Sequence, residues 1–440
     1  MVRDEDMFAA FRICLIHKGS SPSAIKYLFG FEEDVLRLVD EVNQRTYHPS
    51  TSICFVVTNP KYREVFAAAF RDRVIHHYVA MRLEPLFEQL FTDRTFNCRK
   101  GKGVMYGVEQ LRKDVYECSE GYTKNVWVVR FDLRGFFMSI DKALLDRMLQ
   151  TFIEERYFGD DKEDVKWLSH VIMMHEPEKD CRKHSPDEMW DFLPPNKSLF
   201  TNGSGLGLPI GNLPSQHNAN LLLHWLDMII EKLGYKYHGR YVDDGYYMAV
   251  CETEEDRQKM LHDMEKIRRF LGIFLHVNLH PDKFSFQHYT KGVQFTGAVV
   301  KPNRVYVGNR TIYNAFKAVR RMNEARTNKQ LIHDIQSLNS YLGVMRHYDT
   351  YNIRKNIIAA IAPEVWDKIY VKGHYESVHL RAHQRKRPVP KEEWPQVYYM
   401  KDPINFELAG VAQVFDKQGI THFDADEKIK IEQNAYIVTY

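Results

Sequence analysis

Residues 235–250 read Tyr235-Lys236-Tyr237-His238-Gly239-Arg240-Tyr241-Val242-Asp243-Asp244-Gly245-Tyr246-Tyr247-Met248-Ala249-Val250. Two adjacent carboxylates, Asp243 and Asp244, stand between two aromatic-rich apolar runs. That is the pattern of a β-hairpin turning at an Asp-Asp-Gly corner, with both carboxylates projecting from its tip. Like charges side by side are costly unless a cation neutralises them, and a pair of Mg²⁺ ions is a common answer. A plain surface turn would use the same residues, because Asp is a frequent turn former. The motif therefore needs support from elsewhere in the chain.

Support lies 111 residues upstream (243 minus 132), where Val126-Trp127-Val128-Val129-Arg130-Phe131-Asp132 reads as a short apolar strand ending in a carboxylate. A helical stretch comes next, from Asp141 to about Phe152. One carboxylate from a strand end and one from a neighbouring hairpin can bridge two metal ions roughly 3.5–4 Å apart, as two-metal nucleotidyl transfer requires. One ion then lowers the pKa of a primer 3′-hydroxyl while the other holds the triphosphate and the departing pyrophosphate. Asp132 and Asp243 are the expected bridging ligands, with Asp244 in support, Mg²⁺ as the expected pair of ions and Mn²⁺ as an alternative. A strand-terminal Asp alone is more often an N-cap or turn residue. Its pairing with the hairpin makes it a catalytic candidate.

At 440 residues the chain is long for one core and should form two or three lobes. Hydrophobic residues at 44% and aromatics at 13% mark it as globular. The formal charge is only +3, so any nucleic-acid surface must come from local clustering. Cysteines 14, 54, 98, 118, 181 and 251 are scattered without a CxxC pair, which predicts reduced thiols in a cytoplasmic protein and argues against a zinc finger. No apolar run is long enough to span a membrane, and the start Met1-Val2-Arg3-Asp4-Glu5-Asp6 is unlike a signal peptide.

Helical periodicity is predicted over Phe31–Val42 and from Arg63 to about Phe91, with a strand over Ile53–Val57. Phe96-Asn97-Cys98-Arg99-Lys100-Gly101-Lys102-Gly103 sets three cations among two glycines, a loop whose backbone can approach an anion closely. The same residues also suit a solvated surface loop. A second loop, Gly203 to Gln216, is rich in glycine and leads into an apolar helix from about Ser215 to Leu233, closed by Gly234. Such a backbone suits close packing on a base, sugar or phosphate. Further on come a helix from Glu254 to Leu271, a turn carrying Lys283, and a strand over Val293–Val300 that turns at Lys301-Pro302-Asn303. Residues 301–387 hold 17 Lys and Arg against 6 Asp and Glu, a local +11 interleaved with tyrosines, which suits a grip on a nucleic-acid duplex. The basic run Arg381 to Arg387, followed by Pro388 and Pro390, reads as a linker to a tail.

A basic loop, a strand ending in Asp, a Gly-rich loop and helix, an Asp-Asp hairpin, a Lys turn and a Gly-containing strand occur in that order. Over roughly residues 60–360 the chain thereby resembles a reverse transcriptase. Phe131-Asp132-Leu133-Arg134-Gly135-Phe136-Phe137 looks like the first palm motif and Tyr241-Val242-Asp243-Asp244 like the second. The resemblance implies an α/β (α+β) right-hand polymerase that copies an RNA template into DNA. It implies an N-terminal segment and fingers in 1–125, a palm in 126–300 with a fingers insertion about 155–200, a helical thumb in 301–387 and a C-terminal tail in 388–440. Catalytic Asp132, Asp243 and Asp244 would be joined by Lys283 as the proton donor to pyrophosphate. Arg99, Lys100, Phe137, Gly211 and Gln216 would meet the substrate, with Phe137 as the ring that excludes a 2′-hydroxyl. Lys102, Gly297 within Phe295-Thr296-Gly297, Arg320, Arg321 and Arg326 would meet nucleic acid. Implied partners are dNTPs, a dedicated non-coding RNA template, the DNA product and an accessory protein, with no membrane.

Ile210-Gly211 and Ser215-Gln216 stand where most of the family carries Gln-Gly and Ser-Pro. With Trp190 and the Lys197-Ser198-Leu199-Phe200 run, they resemble the enzymes of diversity-generating retroelements and of bacterial antiphage defence. Antiphage defence is the preferred role and diversification its alternative. A polymerase-shaped RNA-binding scaffold is a third reading, disfavoured by three clustered carboxylates.

Overall fold

A computed structural model describes residues 1–381 other than 17, 20, 59 and 60, together with two short backbone segments beyond them. The chain opens with three helices, α1 (Asp4–Leu15), α2 (Pro22–Leu28) and α3 (Phe31–Asn43). Next come β1 (Ser52–Val57), β2 (Arg63–Ala67) and the long α4 (Phe70–Leu90), against which all three N-terminal helices pack. In α3 the buried residues Phe31, Val35, Leu38, Val39 and Val42 recur at helical spacing, so one stripe enters the core.

The helix predicted from Arg63 is thus divided. Residues 63–67 alternate in burial and pair antiparallel with β1, Ile53 opposite Ala67. Period-two burial over five residues overrides the broad apolar stripe that a helix would share. The alternation also buries Glu64, whose carboxylate accepts from Ser198 Oγ at 2.6 Å and from the Leu199 N–H at 2.9 Å.

The central unit comprises α5 (Val104–Cys118), β3 (Val126–Asp132), α6 (Phe136–Ser139), α7 (Lys142–Arg156), α8 (Lys162–Met174), β4 (Cys181–Lys183), α9 (Asp187–Trp190) and α10 (Leu213–Lys232). It continues through β5 (Tyr237–Tyr241), β6 (Asp244–Val250), α11 (Glu254–Phe274), β7 (Ser285–His288), β8 (Val293–Phe295), β9 (Ala298–Lys301) and β10 (Arg304–Val307). Strands β5, β6, β3 and β7 form an antiparallel sheet in that order. Alternation sends Val129, Phe131 and Tyr247 into the larger core with α10 and α11, and Val126, Val128, Tyr246 and Met248 into a second core with α5. The segment predicted as one strand over 293–300 is two, because the chain reverses at Thr296-Gly297 and β8 pairs back onto β9.

The C-terminal unit has its own core, built by α12 (Asn309–Glu324), α13 (Asn328–Met345), α14 (Tyr351–Ala359), α15 (Pro363–Trp366) and the hairpin of β11 (Ile369–Lys372) with β12 (Ser377–Leu380). Beyond it β13 (Gln396–Tyr399) pairs with β14 (Ala412–Phe415). The rest of the predicted tail, 388–440, lies outside the described residues. Among the described residues no helix is long and apolar enough to cross a membrane, and all six cysteines are free.

Candidate active site

Strand register brings the carboxylates together. Asp132 ends β3 directly opposite Asp244, the first residue of β6, and Val242-Asp243 form the two-residue turn between β5 and β6. Asp132, Arg130 and Asp244 share the sheet face that carries α5 and the β8–β9 hairpin. The turn itself differs from the predicted Asp-Asp-Gly corner. Its left-handed residue is Val242, at φ +56°, and Gly245 lies within β6. Gly245 is required by packing instead, since a Cβ there would stand 2.4 Å from the Phe131 ring.

The three carboxylates have different surroundings. Asp132 is 8% exposed and is paired through Oδ1 with Lys283 Nζ at 2.6 Å. Asp243 has no cation of its own; burial first, and then Asp132, push its carboxyl up to about 6. Asp244 is also raised by burial, opposed by Arg130, whose Nε donates to Oδ1 at 3.1 Å, and by the Thr296 N–H, which donates to Oδ2 at 3.2 Å. Each oxygen accepts one hydrogen bond that ties the hairpin to its neighbours and keeps lone-pair capacity for a cation. Among the described residues no three His, Cys, Asp or Glu side chains form a metal-holding cluster. Two hard carboxylate donors, one buried against its neighbour's charge, nevertheless fit a divalent cation that takes its remaining ligands from water and phosphate. Lys283 supplies the counter-charge within the protein.

Behind the turn lies a buried polar network that sequence reasoning missed. Asn97 Oδ1 accepts the Val242 N–H at 2.9 Å, and Arg240 Nη1 donates to the Val242 carbonyl at 3.0 Å. Arg240, 1% exposed, forms a two-pronged pair with Asp227 at 2.7 and 2.6 Å. Asn220 joins the two, donating to the Asn97 carbonyl at 3.1 Å and accepting from Arg240 at 3.2 Å. A β-branched residue at positive φ costs about 1–3 kcal/mol and persists only where its surroundings impose it. Among the described non-glycine residues at positive φ, the β-branched ones are Val242 and Thr296, and they flank Asp243 and Asp244 from two directions. The available sequence signal was Asp227, a carboxylate inside the apolar α10 run.

Several of the other predicted residues are engaged by the protein itself. Arg99 is turned inward, its guanidinium side chain 4% exposed against Glu88 at 2.9 Å and donating to the Thr92 carbonyl at 2.5 Å. Its donors are taken by the protein, so it shapes the loop in this conformation. Lys102 pairs with Asp93 at 2.8 Å, and Lys100 alone of the three is exposed to solvent. Gln216 is exposed on α10 and accepts from Cys98 Sγ at 2.8 Å, linking the two predicted loops. Gly211, at φ +115°, lies against β2, where a Cβ would meet the Phe66 carbonyl oxygen at 2.6 Å. Phe137 is half-buried on α6, edge-on to Phe136 at 5.5 Å. Gly297 follows Thr296 in the turn against Asp244 and accepts the Gly308 N–H at 2.8 Å. Arg320 and Arg326 are exposed, whereas Arg321 is paired with Asp334 at 2.8 Å between α12 and α13. A residue not singled out from the sequence, Lys61, has its ammonium pKa lowered by burial first and then by the positive charges of Lys283, Lys197 and Arg310, against the opposing pull of Asp132.

Residues 57–300, 244 of 440 (300 minus 57 plus 1), match the family described as reverse transcriptase (RNA-dependent DNA polymerase). Protein YkfC of Escherichia coli K12 is 24% identical over 168 residues, covering 36% of this chain and 43% of that protein. The group II intron-encoded protein LtrA of Lactococcus lactis subsp. cremoris is 21% identical over 290 residues, 61% of this chain and 43% of that protein. The chain thus spans less than half the length of these curated relatives. A solved telomerase structure from Candida albicans superposes with TM-score 0.41 at 9% identity, over 70% of this chain and 55% of that one. With a mixed α/β architecture and a family match over more than half its length, the chain belongs to the reverse transcriptase family.

Proposed function

We propose that this chain is an RNA-directed DNA polymerase that adds dNTPs to a primer 3′-hydroxyl. The observation that carries the reading is Asp132 opposite Asp244 at one corner of an antiparallel sheet, with Asp243 beside them in the turn, its carbonyl accepting the Leu133 N–H at 3.1 Å, and Lys283 on Asp132 at 2.6 Å. Divalent cations bound there would activate the hydroxyl and neutralise the triphosphate. The protein's own contribution is to hold both carboxylates on a turn fixed from behind, which supplies orientation before substrate arrives. Lys283 in this reading gives a proton to the departing pyrophosphate, and the positive charge of Lys61 nearby helps draw an anionic triphosphate. In this reading 1–125 contains the fingers, 126–300 the palm and 301–387 the thumb.

Purified protein should extend a primer on an RNA template with dNTPs and Mg²⁺, and Asp243→Asn should not. Absence of incorporation by the unaltered protein on RNA, with Mg²⁺ or Mn²⁺, would reject the reading. The preferred biological role is antiphage defence; the Ile210-Gly211 and Ser215-Gln216 variant of the Gly-rich loop suits that role and retroelement-driven diversification alike. Phage plating on cells carrying the wild-type or Asp243→Asn chain tests it. Equal plaque counts would turn the assignment toward retroelement-driven diversification.

A further inference from the structure

A trough of about 410 Å³ opens between α5 and the C-terminal helical unit, and no step of the proposed reaction uses it. Arg112 and Glu109 of α5 line one side, Arg304 at the start of β10 another, and Arg346, Tyr348 and Asp349 after α13 the third. It sits at the opposite end of the β8–β9–β10 meander from the carboxylates. The Thr296 turn touches Asp244, and β9 then runs away from it toward Arg304, on the order of 15 Å at about 3.3 Å per residue.

The charges in the trough are unevenly engaged. Arg112 is held by Glu109 through Nε at 2.8 Å and Nη2 at 2.7 Å. Asp349 accepts the Val305 N–H at 2.9 Å, which fixes the loop after α13 against β10. Arg304 is exposed and donates to the Tyr306 hydroxyl at 3.3 Å, with no carboxylate in contact. Arg346 is exposed and makes no side-chain ion pair among the described residues. Two guanidiniums from separate elements therefore line one depression without a direct carboxylate ion pair among the described residues, Asp349 acting on Arg304 only through its charge, and the guanidinium fork matches phosphate oxygens. Tyr348 also lines the trough, half-buried and tethered through its hydroxyl to the Met105 sulfur at 3.4 Å.

We propose that this trough is a second nucleic-acid site that takes a single-stranded RNA segment outside the primer–template cleft, with phosphates on Arg304 and Arg346. A polymer is favoured over a free nucleotide because the trough is open to solvent and its cations come from different elements, without an enclosed apolar slot for one base. The inference rests on the RNA-templated reading above.

The test uses the full chain and a single-stranded RNA of roughly 40 nucleotides, with affinity measured from about 50 to 200 mM salt. Each phosphate contact to a single strand contributes about 0.7 to the log–log salt slope, so Arg304→Glu with Arg346→Glu should flatten it by about 1.4 and weaken binding about tenfold or more. Glu109→Gln, which releases Arg112, should strengthen binding a few-fold; this opposite sign separates a charge effect from misfolding. Extension of a short pre-annealed primer–template should be unchanged in both variants. Equal slopes and affinities in the double variant and wild type overturn the site. A parallel loss in short-duplex extension overturns it too, by assigning the arginines to the catalytic cleft. A wild type that binds RNA with the expected variant effects but incorporates no nucleotide rejects the polymerase reading and leaves the trough standing.

Discussion

The side-chain carbonyl of Asn97 accepts the Val242 N–H at 2.9 Å, so the basic loop and the turn carrying Asp243 are joined by one buried hydrogen bond. Val242 holds φ +56° there, against the preference of a β-branched residue. Removing the acceptor leaves a buried N–H unsatisfied, a cost of about 1–3 kcal/mol. Asn97→Ala should lower turnover between about five- and a hundredfold while leaving the Michaelis constant for dNTP nearly unchanged. Val242→Gly in the same background should restore much of the loss, since glycine adopts positive φ without strain. A double-mutant cycle showing less than about 0.5 kcal/mol of coupling would mean that Asn97 does not hold the turn.

Asp243→Asn should remove several kcal/mol of barrier lowering and with it nearly all incorporation. Its effect on stability runs the other way. Burial and the Asp132 charge raise the Asp243 carboxyl from its ordinary 3.8 to about 6, so between those values the folded chain binds more protons than the unfolded one. Without divalent cations, wild-type stability should therefore fall as pH rises through that window and return on acidification. The Asn variant lacks this loss and should melt higher than wild type at pH above about 6. Melting temperatures of both proteins across the window check it, and a constant difference between them would show the carboxyl to be well solvated.

Phe137 is half-buried, and its backbone carbonyl accepts the Leu208 N–H at 2.7 Å, which fixes the start of α6. Phe137→Ala should admit NTPs and narrow discrimination against the 2′-hydroxyl by orders of magnitude, a few kcal/mol. Single-nucleotide extension with matched dNTP and NTP measures this. Unchanged selectivity would reduce the ring to core packing.

In the basic C-terminal unit, Arg320, Arg321 and Arg326 should not act alike. Arg320 and Arg326 are exposed, whereas Arg321 joins Asp334 and donates to Ser337 Oγ at 3.2 Å. Neutralising Arg320 and Arg326 should reduce the log–log salt slope of primer–template binding by nearly two units, close to 0.9 for each duplex phosphate released. Arg321→Ala should leave the slope unchanged and instead lower the melting temperature. Slopes measured for the three single variants distinguish these roles; equal slopes throughout would place the duplex elsewhere.

The carboxylate corner was legible in the sequence because it is written in local terms. An apolar strand ending in Asp132 and paired aromatic runs around Asp243-Asp244 announce strands by their own periodicity, and the segments did form β3, β5 and β6. Local pattern misled where two periods overlap over a few residues: Arg63–Ala67 shares apolar positions with a helix yet pairs with β1, and Val293–Val300 reverses at Thr296. It also misled at the turn, where glycine is the usual residue at positive φ but Val242 holds the bend and Gly245 clears the Phe131 ring.

Sequence alone determined which residue types could carry the chemistry and in what order they come. Tertiary structure decided which of them are free to do it. Arg99, Lys102 and Arg321 are basic residues like their neighbours until the fold sets Glu88, Asp93 and Asp334 against them. Asn97 and Arg240 lie within the quoted stretches without a role of their own there, and they matter because a bent turn 145 residues from Asn97 needs a donor and an acceptor at one place. Burial, charge pairing and backbone strain depend on what lies across space. A chain read residue by residue contains the partners, but their distances exist only after it has folded.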